Sequence, residues 1–187
     1  MADTYVPMIS SGVAGPLGVL HLPRLWLKVS LESQGKLAPG YPGIGRGFDA
    51  MTCAALGLEE QAVKDYIKRN KPTYPEFEAW VKKNAKSLNR EAVEKHNVAV
   101  RGYIHDDETR NGVLVACALA DDASAPKDAV NLNNLDDGTS FIERCSNRSE
   151  PDWRMVLLKA NVNRPGIAVN YYRHAPRMAP IATKATM

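Results

Sequence analysis

The chain has 187 residues, of which 44% are hydrophobic and 24% charged, close to the globular average, so a globally disordered chain is excluded. Its 24 basic and 21 acidic residues are interspersed and leave a net charge of +3, so we expect no nucleic-acid partner. The three cysteines are far apart and no apolar run reaches membrane-spanning length, so we expect a cytoplasmic protein that does not contact a membrane.

Apolar residues recur at helical spacing from residue 21 to residue 119. Residues 1–20, rich in glycine, proline and serine, are predicted to form an extended arm. The predicted helices cover residues 22–34, 48–56, 59–69, 73–85, 87–104 and 106–119, although the last segment is also compatible with a strand. A long glycine-rich loop at 35–47 separates the first two helices, and such loops often carry function.

The sequence changes character after this helical region. Residues 120–138 are polar and are predicted to form a loop that ends the domain at Asp137. Two apolar runs, 153–160 and 166–173, favour a β-hairpin. We therefore predict a mainly α fold: a compact helical domain over 1–137, and an extension over 138–187 that forms a hairpin or an oligomerisation arm. A homo-oligomer is expected.

The most distinctive local pattern is His21-Leu-Pro-Arg24-x-x-x-Lys28. Arg24 and Lys28 are one turn apart on one face of the first helix, close to its free N–H groups. Two cations in this position predict a binding site for a small anionic or aromatic molecule. The alternative is a solvated face on which Lys28 pairs with Glu32.

Asp49, next to the glycine-rich loop, and Tyr41, within it, are predicted to belong to the same site. Asp49, directly after the loop, is a candidate general base, a counter-ion of Arg24 or Lys28, or an ordinary helix-start aspartate. We predict catalytic roles for His21 and Asp49, and substrate-binding roles for Arg24, Lys28 and Tyr41.

Several other residues could bind a metal or take part in catalysis, but each has a simpler structural interpretation. His105-Asp106-Asp107 offers metal-ligand atoms but is more typical of a helix cap, so no metal is expected. His96 lies on an apolar helix face and is interpreted as a core histidine. Cys53 is interpreted as structural. The chain has no nucleotide-binding fingerprint with correct spacing, so no organic cofactor is expected either.

From residue 12 to about residue 137 the chain resembles an uncharacterised bacterial family, a domain of unknown function about 140 residues long, the size of one domain. The resemblance rests on Gly18-Val-Leu-His-Leu-Pro-Arg24-Leu-x-x-Lys28, on Phe48-Asp49, on Trp80-Val, and on Asn131-Leu-Asn-Asn-Leu-Asp-Asp137. It implies a small helical fold with a cluster of Arg24, Lys28 and Asp49, and no known reaction.

The sequence favours a small cofactor-independent enzyme, a lyase, hydrolase or isomerase, over a non-catalytic ligand-binding or assembly protein. The two hypotheses make different structural predictions. An enzyme should hold a buried histidine or aspartate with a perturbed pKa against the Arg24 and Lys28 pair, whereas a binding module should leave the cations open to solvent. On either hypothesis, Arg24→Ala is expected to stay folded and to lose activity or ligand binding.

Overall fold

The computed structural model describes residues 3–146, and the fold of this part is mainly α, as the sequence predicts. The helices are α1 (Leu22–Ser33), α2 (Phe48–Leu56), α3 (Glu60–Asn70), α4 (Tyr74–Asn84), α5 (Arg90–Arg101), α6 (Asp107–Ala116) and α7 (Ala129–Ser146). Within residues 3–146 extended pairing is limited to isolated bridges, such as Tyr5 with Leu37. None of these helices has the length and apolar character needed to cross a bilayer.

Local sequence signals set several helix ends as predicted. Gly57 ends α2 in the left-handed conformation, with φ 62°. Thr73 and Glu76 form a capping box at the start of α4. Asp106 caps α6 by accepting a hydrogen bond from the backbone N–H of Thr109 at 2.7 Å. These boundaries follow from contacts within three residues, which a sequence can reveal.

Several predicted boundaries are wrong. The fifth helix ends at Arg101 and not at residue 104, and the sixth ends at Ala116 and not at residue 119. The fifth helix begins after Asn89, whose side chain accepts from the Ala92 N–H at 2.8 Å, and not after Ser87. The predicted loop over 120–138 becomes helix α7 from Ala129 onward, because Asp128 caps its first turn and apolar residues at helical spacing pack inside. The domain end placed at Asp137 therefore lies within α7.

The predicted hairpin at 153–160 and 166–173 lies outside the described residues. The homo-oligomer expected from that segment stays a prediction.

Apolar packing places α1 at the centre of the described region. One face of α1 joins α2, α3 and α4 in the main core, where Leu22, Leu25, Ile67 and Phe77 are fully buried. A second cluster joins α2, α5 and α7 around Phe48, Val100 and Ala129, and a third joins α6 to α7. The remaining face of α1, which carries Arg24 and Lys28, is therefore directed at α7 and the chain segments beside it.

Candidate functional site

A cavity of about 220 Å³ lies between the N-terminal arm, α1, the glycine-rich loop, the start of α2 and α7. All five side chains predicted from sequence line it: His21, Arg24, Lys28, Tyr41 and Asp49. The other lining residues are Ser11, Gly45, Gly47, Phe48, Asn133, Asp136 and Asp137. The structure thus brings the predicted residues together in one cavity.

Helix α5 fixes the backbone that leads into His21. The Asn97 side chain accepts from the Leu20 N–H at 2.9 Å and donates to the Gly18 carbonyl at 2.8 Å. The buried ring of His96 lies 3.1 Å from the Leu20 carbonyl, which confirms its interpretation as a core histidine. His21 itself has φ 68°, a left-handed conformation that costs a non-glycine residue about 1–3 kcal/mol and often marks functional sites.

Three donors converge on the Asp49 carboxylate, which lies in the first turn of α2. Its Oδ1 is 2.8 Å from His21 Nε2, and its Oδ2 accepts from Lys28 Nζ and from the Gly45 N–H, the latter at 2.9 Å. Burial acts to raise the pKa of Asp49, but the hydrogen bonds and charges of His21 and Lys28 outweigh it and hold the pKa below its usual value. Asp49 is therefore ionised at neutral pH.

The ionised carboxylate fixes the tautomer of His21. Burial lowers the pKa of the imidazole, against the opposing effect of Asp49, so the ring is neutral at neutral pH. Because ionised Asp49 can only accept, His21 Nε2 carries the ring proton. The lone pair of Nδ1 then faces Ser11 Oγ at 3.0 Å, and the Ser11 hydroxyl donates to it. The result is a continuous Ser11–His21–Asp49 chain of hydrogen bonds.

Lys28 is paired within the site. Its ammonium contacts Asp49 and its side chain is 8% exposed, so the alternative of a solvated face is wrong. Glu32, the partner proposed by that alternative, instead accepts from the Gly43 N–H at 2.8 Å. A Cβ on Gly43 would overlap the Glu32 carboxylate, so this contact requires glycine. The carboxylate of Glu32 thus holds the glycine-rich loop against α1.

Arg24 is similarly occupied by groups of the chain itself. Its Nη1 and Nη2 bind the two oxygens of Asp137 on α7 at 2.5 and 3.0 Å. Nη1 also donates to the carbonyls of Pro7 and Ile9, the latter at 2.9 Å. The guanidinium therefore connects α1, α7 and the N-terminal arm. The counter-ion of Arg24 is Asp137, whereas Asp49 is the counter-ion of Lys28.

Neither Tyr41 nor Asp136 forms an ion pair with another residue of the described region. The Tyr41 hydroxyl is shielded from solvent and forms no well-aligned hydrogen bond within the described region. Burial raises its pKa to about 12, against the opposing effect of the nearby Ser140 hydroxyl, and the carboxylates of Asp137 and Asp136 act in the same direction as burial. Burial also raises the pKa of Asp136, and the neighbouring Asp137 acts in the same direction. The Tyr41 hydroxyl is thus protonated at neutral pH, and its residue lines the cavity.

Sequence reasoning missed four polar lining side chains, as well as the aromatic ring of Phe48. Asn133, Asp136 and Asp137 lie on α7 at i, i+3 and i+4, the spacing of one helix face. This spacing becomes informative only once the segment is recognised as a helix. Ser11 lies in a turn closed by the Val13 N–H and the Ser10 carbonyl at 3.2 Å, and no local pattern distinguishes it from other turn serines.

The remaining sequence candidates lie outside this cavity. His105 contacts Asn133 at 3.2 Å, and Asp106 is the α6 cap described above. Residues 3–146 contain no cluster of three or more potential metal ligands. Cys53 is buried in the main core, and burial raises the pKa of its thiol to about 12, which supports a structural role.

The buried imidazoles make stability depend on pH. His21 and His96 both have lowered pKa values in the folded state, so below about pH 6.5 the unfolded chain binds more protons and the free energy of unfolding falls. The expected slope is up to about 1.4 kcal/mol per pH unit for each histidine. Urea unfolding of the wild type and His21→Gln between about pH 7.5 and pH 5.5 tests this. An identical pH dependence in the two proteins would contradict it.

The architecture is that of a mainly α domain with a polar cavity in which Arg24 and Lys28 each have a carboxylate partner. The chain belongs to the family of the domain of unknown function DUF5069, whose model matches residues 10–139. The matched region extends from the turn that holds Ser11 through Asp137, so it includes most of the cavity wall. A comparison with curated proteins finds no match.

Proposed function

We propose that this domain is a cofactor-independent enzyme in which His21 transfers a proton within the cavity. The single observation that carries the proposal is the buried Ser11–His21–Asp49 chain, in which a neutral imidazole has an ionised carboxylate on one nitrogen and a basic lone pair on the other. Such an imidazole is a competent general base near neutral pH.

The burial of the cations favours an enzyme over an open binding module. Arg24 and Lys28 are 6% and 7% exposed and lie against buried Asp49 and Asp137. Since both cations already have carboxylate partners, we propose that they position the carboxylates and the chain segments around the cavity. Recognition of the substrate then falls to uncharged donors such as Tyr41.

The cavity limits the substrate to a small molecule. Its volume of about 220 Å³ is below the roughly 300–1,000 Å³ of pockets for drug-sized ligands. The lining is mainly polar, and the charges of Arg24 and Lys28 are matched by those of Asp49 and Asp137. A neutral polar or aromatic molecule therefore fits this environment better than the anion suggested by the sequence.

Two small probes test the proposed proton transfer. The full chain, dialysed against EDTA, is assayed with p-nitrophenyl acetate, whose hydrolysis needs a base, and with 5-nitrobenzisoxazole, whose ring opening needs only proton abstraction. We expect His21→Gln to lower the rate with at least one probe by about 10²-fold or more. His105→Gln, outside the cavity, is the matched control and should retain the rate. Equal rates for the wild type and His21→Gln with both probes would refute the proposal.

A further inference from the structure

Both ring nitrogens of the buried His21 form hydrogen bonds, so the geometry determines from which group the imidazole can take a proton. Nε2 is held by Asp49 at 2.8 Å and Nδ1 by Ser11 at 3.0 Å. The Ser11 hydroxyl is therefore the group that the basic lone pair of His21 contacts, and Ser11 is on the cavity wall. A proton taken by His21 in this arrangement comes from Ser11 Oγ.

We propose that Ser11 is the nucleophile of this site and that its substrates are esters of small carboxylic acids. This inference rests on the proposed function and adds to it a reacting atom and a substrate class. The order of groups is that of Ser–His–Asp hydrolases, with the two ring nitrogens used in the opposite sense: here Nδ1 faces the serine and Nε2 the aspartate.

The backbone around Ser11 suits a nucleophile. Ser11 and Gly12 occupy the centre of the turn that links Ser10 to Val13, so the position of Oγ is fixed by a tight turn. A Cβ on Gly12 would lie 3.1 Å from Val130 on α7, so the turn packs closely against that helix. This packing holds the serine hydroxyl in place before a substrate binds, which reduces the cost of orienting it.

The start of α2 provides donors for the oxygen that becomes negative during attack. Gly47 and Phe48 line the cavity, and Gly47, the residue before the helix, has no side chain that could cap it. The Ala50 N–H donates to the Gly45 carbonyl at 3.2 Å, so the donors left in the first turn are the N–H groups of Phe48 and Asp49. Backbone N–H groups directed at a developing oxyanion stabilise acyl-transfer transition states. The same helix end also carries Asp49, so one short element supplies the aspartate and the donors.

The reaction proceeds in two balanced steps. Ser11 Oγ bonds to the ester carbonyl carbon, its proton moves to His21 Nδ1, and the bond to the alcohol oxygen breaks as that oxygen takes the proton from Nδ1. Water then attacks the acyl carbon and gives its proton to Nδ1, the acyl–Oγ bond breaks, and Oγ regains the proton. The products are the carboxylic acid and the alcohol, and no oxidant or reductant is needed.

The cavity selects a small, uncharged acyl group. A volume of about 220 Å³ leaves little space beyond an acetyl- or propionyl-sized group and a compact alcohol. The carboxylates of Asp136 and Asp137 on the wall disfavour an anionic acyl chain. Tyr41, on the same cavity wall, contributes an uncharged, protonated hydroxyl group to this lining.

A small dialkyl fluorophosphate tests the nucleophile directly, because it bonds covalently to activated serines. We expect one adduct per wild-type chain by intact mass, located at Ser11 by peptide mapping. Ser11→Ala and His21→Gln should not form this adduct. Ser124→Ala, at an exposed serine outside the cavity, should form it as the wild type does. An adduct on another residue, or none, would overturn the inference.

Ester turnover separates failure of this inference from failure of the proposed function. We expect Ser11→Ala to lower kcat/KM for p-nitrophenyl acetate by at least about 10²-fold. If His21→Gln loses activity while Ser11→Ala keeps it, the nucleophile assignment is wrong and the proposed function stands. If neither variant loses ester turnover, the nucleophile assignment is wrong, and the proposed function is wrong as well if His21→Gln also keeps the wild-type rate with 5-nitrobenzisoxazole. Ser11→Cys guards against misfolding, since a correctly placed thiol should be acylated by the same ester.

Discussion

Replacing Arg24 by alanine is expected to lower the free energy of unfolding by about 3–5 kcal/mol. The loss arises because Asp137, with its side chain 5% exposed, would keep a buried negative charge without its bidentate partner. The carbonyls of Pro7 and Ile9 would lose a donor at the same time. Urea unfolding followed by circular dichroism measures the change, which is large against the roughly 5–15 kcal/mol typical of a domain.

A double variant identifies the origin of this loss. Arg24→Met with Asp137→Leu replaces both charges by apolar side chains of similar size, so no buried charge is left unpaired. We expect it to lose clearly less stability than Arg24→Ala, as for other buried ion pairs replaced as a unit. A double variant as unstable as the single one would show that the Arg24–Asp137 pair is not the source. The sequence alone leads us to expect a folded Arg24→Ala protein, and the structure adds the expectation that this variant is markedly less stable.

The difference between these two expectations reflects what a sequence can reveal. That Arg24 and Lys28 share a helix face follows from their spacing, and that this face is directed inward was a hypothesis. Their partners are not local: Asp137 is 113 residues from Arg24 along the chain, and Asp49 is 21 residues from Lys28. Only tertiary packing reveals that the cations are already neutralised.

The sequence did not predict helix α7 because many of its residues are polar and some of these line the cavity. Its polar residues include Asn131, Asn133, Asp136 and Gly138, which are typical of loops when considered singly. The fully or nearly buried apolar residues of α7 are Ala129, which packs against α5, Leu132, which packs against α6, and Leu135. Tertiary contacts on one face therefore outweigh weak helix propensity, as is common where a helix contributes polar groups to a site.

The family resemblance did point to the correct segments. The quoted run from Asn131 to Asp137 lies on α7 and the run from Gly18 to Lys28 on α1 and the residues before it, and these meet at the cavity. The predicted cluster of Arg24, Lys28 and Asp49 is present, although Arg24 and Asp49 belong to different ion pairs. Ser11, one residue before the stretch compared, required the three-dimensional structure.

Replacing Asp49 by asparagine is expected to reverse the tautomer of His21. The Lys28 ammonium and the Gly45 N–H both donate to Oδ2, so the amide oxygen of the introduced asparagine would occupy that position. The amide NH₂ would then face His21 Nε2, which must accept, and the ring proton would move to Nδ1. His21 would donate to Ser11 instead of accepting from it, and the serine could no longer lose its proton to the ring.

The expected fall in kcat/KM for p-nitrophenyl acetate is about 10³–10⁴-fold, the scale seen when a triad histidine adopts the wrong tautomer. Asp106→Asn is the matched control, because asparagine caps a helix as well as aspartate and residue 106 is outside the cavity. Nitrogen-15 NMR of the His21 ring reports the tautomer without any substrate, so the structural step is tested independently of turnover. A ring proton that stays on Nε2 in Asp49→Asn would contradict the geometry, whereas a reversed tautomer with unchanged ester turnover would remove His21 from the reaction.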